Sequence, residues 1–192
     1  MAHHSWLISY LCSMGIRKLS MPELNRLSTE EFRAVEKFPV TVILDDIRSQ
    51  NNTGSVFRTC DAFRVEKLCL CGITASPPHR EIHKTALGAE ESVEWKHYST
   101  ATEAILELKK SGYLVLVLEH TTSNLPLQDY KIPEDSKIAL VFGNEILGVS
   151  EEVLKLANAC LEIPQFGTKH SINVSVVVGI TLWEMLKKMK KI

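Results

Sequence analysis

The sequence has no excess of charge of either sign and no long apolar run. Its 192 residues include 22 Lys and Arg against 23 Asp and Glu, for a formal net charge of -1. It therefore lacks the overall basic field typical of nucleic-acid-binding proteins, although a local basic patch is compatible with this average. No apolar run reaches the length that a transmembrane helix needs. With 45% hydrophobic and 23% charged residues, we expect one compact cytoplasmic domain with a short appendage.

The cysteines and histidines form no pattern typical of a metal site or a disulfide framework. Five cysteines is an odd number, and no two of them form a CxxC pair or stand with histidine at metal-ligand spacing. Cys69 and Cys71 alternate with leucines in a strand-like run, so both are expected to face one side and pack there. His3 and His4 are too few to make a site. We expect reduced cysteines, as in a cytoplasmic protein, and no bound metal.

The amino-terminal segment lacks the features of a secretory signal peptide. Residues 1–13 contain apolar residues, but no basic stretch is followed by a clean apolar core and a small-residue cleavage site. Met14 is a candidate for the true start, with residues 1–13 as an appendage. The predicted organisation is an N-terminal extension with a short helix over residues 1–39 and a main domain over residues 40–192.

Strand-like and helix-like segments alternate after the extension. Within the extension, Ser28 and Glu31 fit a capping box, which predicts a helix start. Beyond it, apolar runs predict strands at residues 40–47, 67–73, 93–98, 113–118, 138–142 and 160–163. Helical spacing of apolar residues predicts helices at residues 53–63, 80–87, 101–110, 150–158 and 173–189. This alternation predicts an α/β fold with a mainly parallel sheet flanked by helices.

Three predicted strand ends are followed by polar, glycine-containing turns, where ligands bind in open α/β sheets. In the first turn, Asn52, Gly54 and Arg58 fall at the opening of a helix, with Arg58 one turn past Gly54 and so expected on the same side. Backbone N–H groups and an arginine at such a place suit a phosphate. The alternative is a capped helix with an exposed arginine. The segment is neither a GxGxxG dinucleotide signature nor a Walker loop.

The second turn follows the predicted strand at residues 138–142. Gly143 permits the backbone to come close to a ligand, and Gly148 is a second glycine five residues later. Glu145 is either a carboxylate that interacts with a helix dipole or an acceptor for an arginine or a ligand. The residues of this turn alone leave both interpretations open.

The third turn precedes the last predicted helix. Ser171, Asn173 and Ser175 cluster at the start of this helix, where Ser and Asn commonly act as caps. Any one of them is more often a cap than a catalytic residue. His170 has no partner in the sequence that would make it a general base, so we treat it as an ordinary loop residue.

Taken in this order, the three segments resemble the motifs of the SpoU (TrmH-like) branch of the SPOUT methyltransferases. The family pattern is Asn-x-Gly-x-x-x-Arg, then a strand that ends in Gly-x-Glu-x-x-Gly, then Ile-Pro, a glycine and Ser-x-Asn-x-Ser. The resemblance covers about residues 40–189. Two positions depart from it: Arg64 stands where glycine is frequent, and Ile172 stands where leucine is frequent. The matching residues here are Asn52, Gly54, Arg58, Gly143, Glu145, Gly148, Ile163, Pro164, Gly167, Ser171, Asn173 and Ser175.

The resemblance implies a fold, a cofactor and an assembly. The expected fold is an α/β domain whose C-terminal part forms a deep trefoil knot, a rare exception among protein folds. The expected cofactor is S-adenosyl-L-methionine, bent in the knot and held by backbone around Leu118, Gly143, Ile163 and Ile172. The expected assembly is a homodimer in which each active site draws on both subunits.

The implied reaction is methylation of an RNA ribose 2′-hydroxyl, of tRNA in preference to rRNA. The family assigns the central catalytic role to the arginine of the first motif, here Arg58, with Asn52, Glu145, Ser171 and Asn173 orienting it and the ribose. A guanidinium seldom acts as a base. The alternative is that Arg58 clamps the phosphate and stabilises the alkoxide, while a phosphate oxygen takes the proton.

Two rival functions were weighed against this interpretation. A noncatalytic RNA- or nucleotide-binding module on the same fold would be expected to lose Arg58 or Glu145, and both are present. A Rossmann-type nucleotide enzyme would need a glycine-rich first turn and an acidic residue about 20 positions further on. The first turn here supplies one glycine, Gly54.

Overall fold

The computed structural model describes residues 16–192, which form a seven-stranded parallel sheet with helices on both faces. The predictions about residues 1–13 and about Met14 as the start lie outside the described residues. The strands are β1 Phe38–Asp45, β2 Val65–Cys71, β3 Trp95–Tyr98, β4 Tyr113–Leu118, β5 Leu125–Pro126, β6 Lys137–Phe142 and β7 Ala159–Glu162. The helices are α1 Thr29–Ala34, α2 Gln50–Ala62, α3 Arg80–Ala86, α4 Ala89–Ser92, α5 Ala101–Lys110, α6 Glu151–Leu156 and α7 Val174–Lys188, after a 3-10 turn at Pro22–Leu24.

The strand order places the carboxyl ends of β1, β6, β4 and β7 next to one another at one edge of the sheet. The order is β3-β2-β1-β6-β4-β7-β5, and every strand pair is parallel. The chain builds outward from β1 to β3, then crosses to the other side and places β6 between β1 and β4. The point at which the strand order reverses is where ligands bind in open α/β sheets, beyond the carboxyl ends of the strands. The predicted α/β class is confirmed, and the knot stays a prediction.

The two faces of the sheet bury two separate apolar layers. In β1, Val42 and Leu44 pack in the layer that also contains residues of α2, α3 and α7. Ile43, between them, packs in the layer of α5 and α6. This alternation follows from the two-residue repeat of a strand. Since both faces are covered, the central strands β4 and β6 are apolar along almost their whole length, as buried parallel strands usually are.

The boundaries differ from the predicted ones in two instructive places. Helix α2 begins at Gln50 and not at residue 53, because the Ser49 side chain accepts a hydrogen bond from the Asn52 N–H at 3.2 Å and caps the helix earlier. The two-residue strand β5 escaped prediction, since it has no apolar pattern of its own and owes its conformation to pairing with β7.

The described part of the N-terminal extension packs on the main domain. The capping box predicted from Ser28 and Glu31 is present and starts α1. Phe32 of this helix is buried in the core, and the Arg33 guanidinium donates a hydrogen bond to the Glu91 carbonyl at 3.0 Å. The boundary after residue 39 stays a prediction.

The described cysteines are unpaired and packed in the core, with the exception of the half-buried Cys160. Cys69 and Cys71 face the α5 and α6 layer together, as the alternation predicted. Burial raises the pKa of the Cys69 thiol to about 12, which leaves it protonated and unreactive. Cys12 lies outside the described residues.

Neither a membrane span nor a metal cluster is found within residues 16–192. None of the helices there combines the length and the apolar composition that crossing a bilayer requires. In the same residues, no group of three or more His, Cys, Asp and Glu side chains lies close enough to hold a metal ion.

Asp45 makes stability depend on pH. It ends β1 and is 8% exposed, and burial together with the charge of neighbouring Asp46 raises its pKa to about 6. The folded state therefore holds this proton more tightly than the unfolded chain does. The cost of burying Asp45 is absent near pH 4, grows between about pH 4 and 6 and is complete above pH 6.

Replacement of Asp45 by asparagine is expected to stabilise the protein at pH 8. We expect a gain of about 1 kcal/mol in the free energy of unfolding, a figure reduced for the partial solvation of the carboxylate. The gain should vanish by about pH 3, below the ordinary pKa of an aspartate, where both states of the wild type hold the proton. Urea denaturation at the two pH values measures it, and a gain of equal size at both would contradict this explanation.

Candidate active site

Asn52 connects the first motif to the second. It lies in the first turn of α2, where the Ser49 cap fixes the backbone. Its side-chain amide donates a hydrogen bond to the Glu145 carboxylate at 3.1 Å. The second oxygen of Glu145 accepts from the Arg48 N–H at 3.3 Å. Glu145 therefore accepts from both the backbone that precedes α2 and the first turn of this helix.

Asn173 connects the same pair to the third motif. It is the N-cap of α7, and its side-chain oxygen accepts from the Ser175 N–H at 2.9 Å. Its amide donates to the Asn52 side-chain oxygen at 3.2 Å. Asn173 is therefore a cap and also a member of a hydrogen-bonded chain, Glu145–Asn52–Asn173, that joins three segments far apart in sequence.

The loop after β6 is a tight turn that presents Glu145 to solvent. The Asn144 side chain donates to the Asp46 carbonyl at 2.7 Å and accepts from the Ile146 N–H at 2.9 Å. Gly148 closes the turn in the left-handed region, at φ +67. A Cβ on Gly143 would lie 2.5 Å from the Gly148 carbonyl carbon. Gly143 thus permits a close approach within its own loop, and its contact with a ligand stays a prediction.

Gly54 is required by packing between two helices. It is buried where α2 meets α3, and a Cβ there would lie 2.1 Å from the Thr85 hydroxyl and 2.4 Å from the Ile82 carbonyl oxygen. Because the helix already starts at Gln50, Gly54 lies inside it. Thr85 further ties the two helices together by donating to the Asn51 carbonyl at 3.1 Å.

Arg58 lies apart from the other predicted catalytic residues within one chain. It stands six residues after Asn52 on the same helix, which places it about 9 Å further along and about 240° around the helix axis. It is exposed, and across residues 16–192 it makes no side-chain hydrogen bond and no ion pair. Gly54 and Arg58 are four residues apart and lie within about 40° of each other around the axis, so they share one side of α2 as expected, with Gly54 buried and Arg58 exposed.

A cavity of about 510 Å³ opens at the carboxyl ends of β4, β6 and β7, beside this hydrogen-bonded chain. Its volume is in the range of sites for cofactors and other small ligands. Asn52 and Arg58 are not among the residues that line it. The residues predicted to hold the cofactor all line it, and so do three of the predicted catalytic residues: Leu118, Gly143, Ile163 and Ile172, with Glu145, Ser171 and Asn173.

The sequence motifs did not predict several polar side chains of the cavity wall. Glu119 and His120 directly follow β4, and Glu162 ends β7. Glu162 accepts from the Asn124 amide at 2.8 Å and lies 3.4 Å from the His120 ring nitrogen. Their place at strand ends is the signal that could have found them. His170, treated as an ordinary loop residue, also lines the cavity.

The cavity suits a ligand that is partly apolar and partly cationic. Leu118, Ile163, Ile172 and Val177 supply apolar walls for a flat ring, and the strand ends expose backbone groups that can bind its edge. Three carboxylates, those of Glu119, Glu145 and Glu162, also line it. Negative side chains around an apolar slot favour a ligand that carries positive charge beside an apolar ring.

Comparison with known proteins identifies the same family that the sequence motifs resemble. The model of the SpoU rRNA methylase family matches residues 39–183. The chain belongs to this family. Within the SpoU family, it is 30% identical over 171 residues to a tRNA (guanosine(18)-2′-O)-methyltransferase of Thermus thermophilus, covering 88% of this chain and 85% of that protein.

Two solved structures share the fold of this chain. The TrmH/SpoU tRNA modifying enzyme of Aquifex aeolicus has a TM-score of 0.73 at 24% identity, with 85% of this chain and 81% of that chain covered. An AdoMet-bound rRNA methyltransferase of Sinorhizobium meliloti has a TM-score of 0.72 at 26% identity. That match covers 81% of this chain and 59% of the other.

Proposed function

We propose that this SpoU-family chain transfers a methyl group from S-adenosyl-L-methionine to a ribose 2′-hydroxyl of tRNA. The observation that carries the proposal is the cavity lined by all four residues expected to hold the cofactor, next to the chain Glu145–Asn52–Asn173. A relative 30% identical over most of both chains is named as a tRNA 2′-O-methyltransferase, and a structural relative is described with the cofactor bound.

The residues of the cavity fit this cofactor. Leu118, Ile163 and Ile172 provide apolar surface and backbone groups for the adenine. The carboxylates of the wall complement the positive charges of the sulfonium and the ammonium group. When bound, S-adenosylmethionine supplies a methyl group that its sulfonium makes electrophilic.

The protein's own residues must position the ribose and balance the charge that develops on its oxygen. Asn52 and Asn173 are hydrogen-bonded to each other beside the cavity, and Ser171, which lines the cavity, supplies a hydroxyl for contact with the ribose. Arg58 holds an RNA phosphate and stabilises the developing alkoxide, while a phosphate oxygen accepts the proton. A guanidinium keeps its own proton in this role, which agrees with its chemistry better than action as a base.

Arg58 reaches the site through a homodimer. Within one chain it is exposed and separate from the cavity. It lies on α2, which packs beside α7, as the rings of Phe63 and Trp183 at 6.4 Å indicate. The outer face of α7 exposes an apolar row at helical spacing: Val176 at 49%, Ile180 at 39% and Trp183 at 56%. A second copy covering this row would bring Arg58 toward the partner's cavity.

Replacement of Ile180 by glutamate is expected to turn the dimer into a monomer and to lower methylation at least tenfold. A buried charge without a partner destabilises such an interface strongly. Light scattering after size exclusion measures the mass. The matched control is Leu106→Glu on α5, which is 45% exposed on the opposite face. A mass unchanged in Ile180→Glu, or lowered equally in both variants, would contradict the dimer.

Labelled methyl transfer from S-adenosylmethionine tests the activity. Purified total tRNA and rRNA from cells that lack the protein are offered separately, and we expect incorporation into the tRNA. Incorporation into rRNA alone would identify rRNA as the substrate and contradict the proposal of tRNA. Cofactor binding without labelling of either RNA would favour a noncatalytic RNA-binding role. If the protein neither binds the cofactor nor labels any RNA, it is not a methyltransferase of this kind.

A further inference from the structure

Glu119 occupies a central place in the cavity wall that no sequence motif marks. It follows the last residue of β4, and its backbone N–H donates to the Leu161 carbonyl of β7 at 3.2 Å. The side chain is half-buried and lines the cavity. Its backbone is thus fixed at the junction of two parallel strands, which orients the carboxylate toward the loop after β6.

The Glu119 carboxylate holds the loop that carries Glu145. One oxygen accepts from the Val149 N–H at 3.0 Å, and the other accepts from the His120 N–H at 2.8 Å. A Cβ on Gly148 would lie 2.3 Å from the first oxygen, so the loop closes on this carboxylate at a residue without a side chain. Glu119 is thereby connected through the loop to Glu145 and Asn52.

Both carboxylate oxygens keep acceptor capacity after these bonds. An ionised carboxylate offers about four lone-pair positions, and the two backbone N–H groups use two of them. The remaining ones lie at the wall of a polar cavity. They suit a ligand with two neighbouring hydroxyl donors, as a ribose diol has, because charged acceptors form strong hydrogen bonds to hydroxyls.

The position favours the ribose over the amino-acid part of the cofactor. Glu119 directly follows Leu118, one of the residues proposed above to contact the adenine, and its backbone N–H bonds to Leu161 of β7. The ribose is bonded directly to the adenine, whereas the ammonium group is several bonds further away. A carboxylate after a strand of an α/β sheet is also the group that holds the ribose in dinucleotide-binding folds.

We propose that Glu119 binds the ribose diol of the cofactor and at the same time positions the loop that carries Glu145. This inference rests on the proposed function, since the ligand is that of the proposed methyl transfer. The same carboxylate then contacts both the cofactor ribose and the loop of the second motif.

Calorimetric binding to the full chain tests the assignment with three ligands. S-adenosylhomocysteine contains all parts of the cofactor except the methyl group, 5′-methylthioadenosine lacks the amino acid, and 2′,3′-dideoxy-methylthioadenosine also lacks both hydroxyls. For Glu119→Ala, we expect the affinity for the first two ligands to fall by roughly 10- to 100-fold, as for hydrogen bonds to a charged group. The affinity for the dideoxy ligand should change by less than about threefold, because the diol that Glu119 binds is absent from it.

Other outcomes would overturn the assignment. Equal losses for all three ligands would leave Glu119 as a loop support alone, and a loss for S-adenosylhomocysteine alone would place it at the ammonium group. Circular dichroism controls for folding. Glu119→Gln, which keeps an acceptor for the Val149 N–H, should show the same dependence on the hydroxyls with a smaller loss, of roughly tenfold.

A second variant separates this inference from the proposed function. Glu162→Gln removes the same charge from the same cavity, and its effect should not depend on the ribose hydroxyls. If the loss of affinity depends on the ribose hydroxyls in Glu162→Gln but not in Glu119→Ala, the ribose contact belongs to Glu162. If the wild type binds neither S-adenosylhomocysteine nor methylthioadenosine, the proposed cofactor itself is wrong. Binding by the wild type without a ribose-dependent loss in Glu119→Ala rejects the inference alone.

Discussion

Replacement of Arg58 by alanine is expected to lower kcat for RNA methylation by about 10²- to 10³-fold, the range seen when a group that stabilises a developing oxyanion is removed. The affinity for S-adenosylhomocysteine should stay within about twofold of wild type, because Arg58 does not line the cavity. Single-turnover methylation at saturating RNA measures the first quantity, and calorimetry measures the second.

The control for Arg58→Ala is Arg26→Ala, an exposed arginine in the segment before α1. It removes the same charge from the surface and should leave kcat unchanged. Arg58→Lys tests the phosphate clamp, since lysine keeps the charge but loses the two-pronged hydrogen bond to phosphate. A rate for Arg58→Ala within threefold of wild type, or a large loss of cofactor affinity, would contradict the role of Arg58 in holding RNA.

Replacement of Gly54 by alanine is expected to destabilise the protein by about 2–3 kcal/mol, the upper range for overpacking a tight contact. The added Cβ would meet the Ile82 carbonyl oxygen at 2.4 Å, and a backbone atom inside α3 cannot move aside without shifting the helix. The better helix propensity of alanine returns at most about 1 kcal/mol, which is already included. Urea denaturation at pH 8 measures the change.

Gly179 in α7 provides a matched control for Gly54. It is also a glycine inside a helix, but a Cβ there meets only the Thr59 methyl group at 4.0 Å, an ordinary contact. Because Gly179 borders the apolar row proposed as the dimer face, both glycine substitutions are compared in the Ile180→Glu background, where Gly179→Ala should stabilise the protein by about 0.5–1 kcal/mol through helix propensity. Opposite signs for the two substitutions support the packing role of Gly54, and a stabilising effect of Gly54→Ala would exclude it.

Local patterns predicted the elements of the fold well, because their signals lie within a few neighbouring residues. The alternation of Cys69 and Cys71 with leucines gave the correct faces of β2, and Ser28 with Glu31 gave the start of α1. The strand β5 was missed because its conformation depends on the distant strand β7. The strand order likewise depends on contacts that no local pattern contains.

For the site, sequence reasoning found the residue types and misjudged some of their physical roles. Asn52, Glu145 and Asn173 were selected separately, and the structure joins them by hydrogen bonds. Gly54 was placed at the opening of a helix, but it lies inside α2, and the contact that requires a glycine there is with α3, which begins 26 residues later in the sequence. The missed carboxylate of Glu119 has no motif around it, and its importance follows from its bond to Val149, 30 residues away.

The position of the methyl group on the RNA tests the central claim most directly. RNA labelled by the wild-type protein is hydrolysed with alkali, which needs a free 2′-hydroxyl to cut the chain. Methylation of that hydroxyl protects the adjoining phosphodiester, so the account predicts that the label is recovered in alkali-resistant dinucleotides. Recovery of the label in mononucleotides would place the methyl group on a base and would contradict ribose 2′-O-methylation.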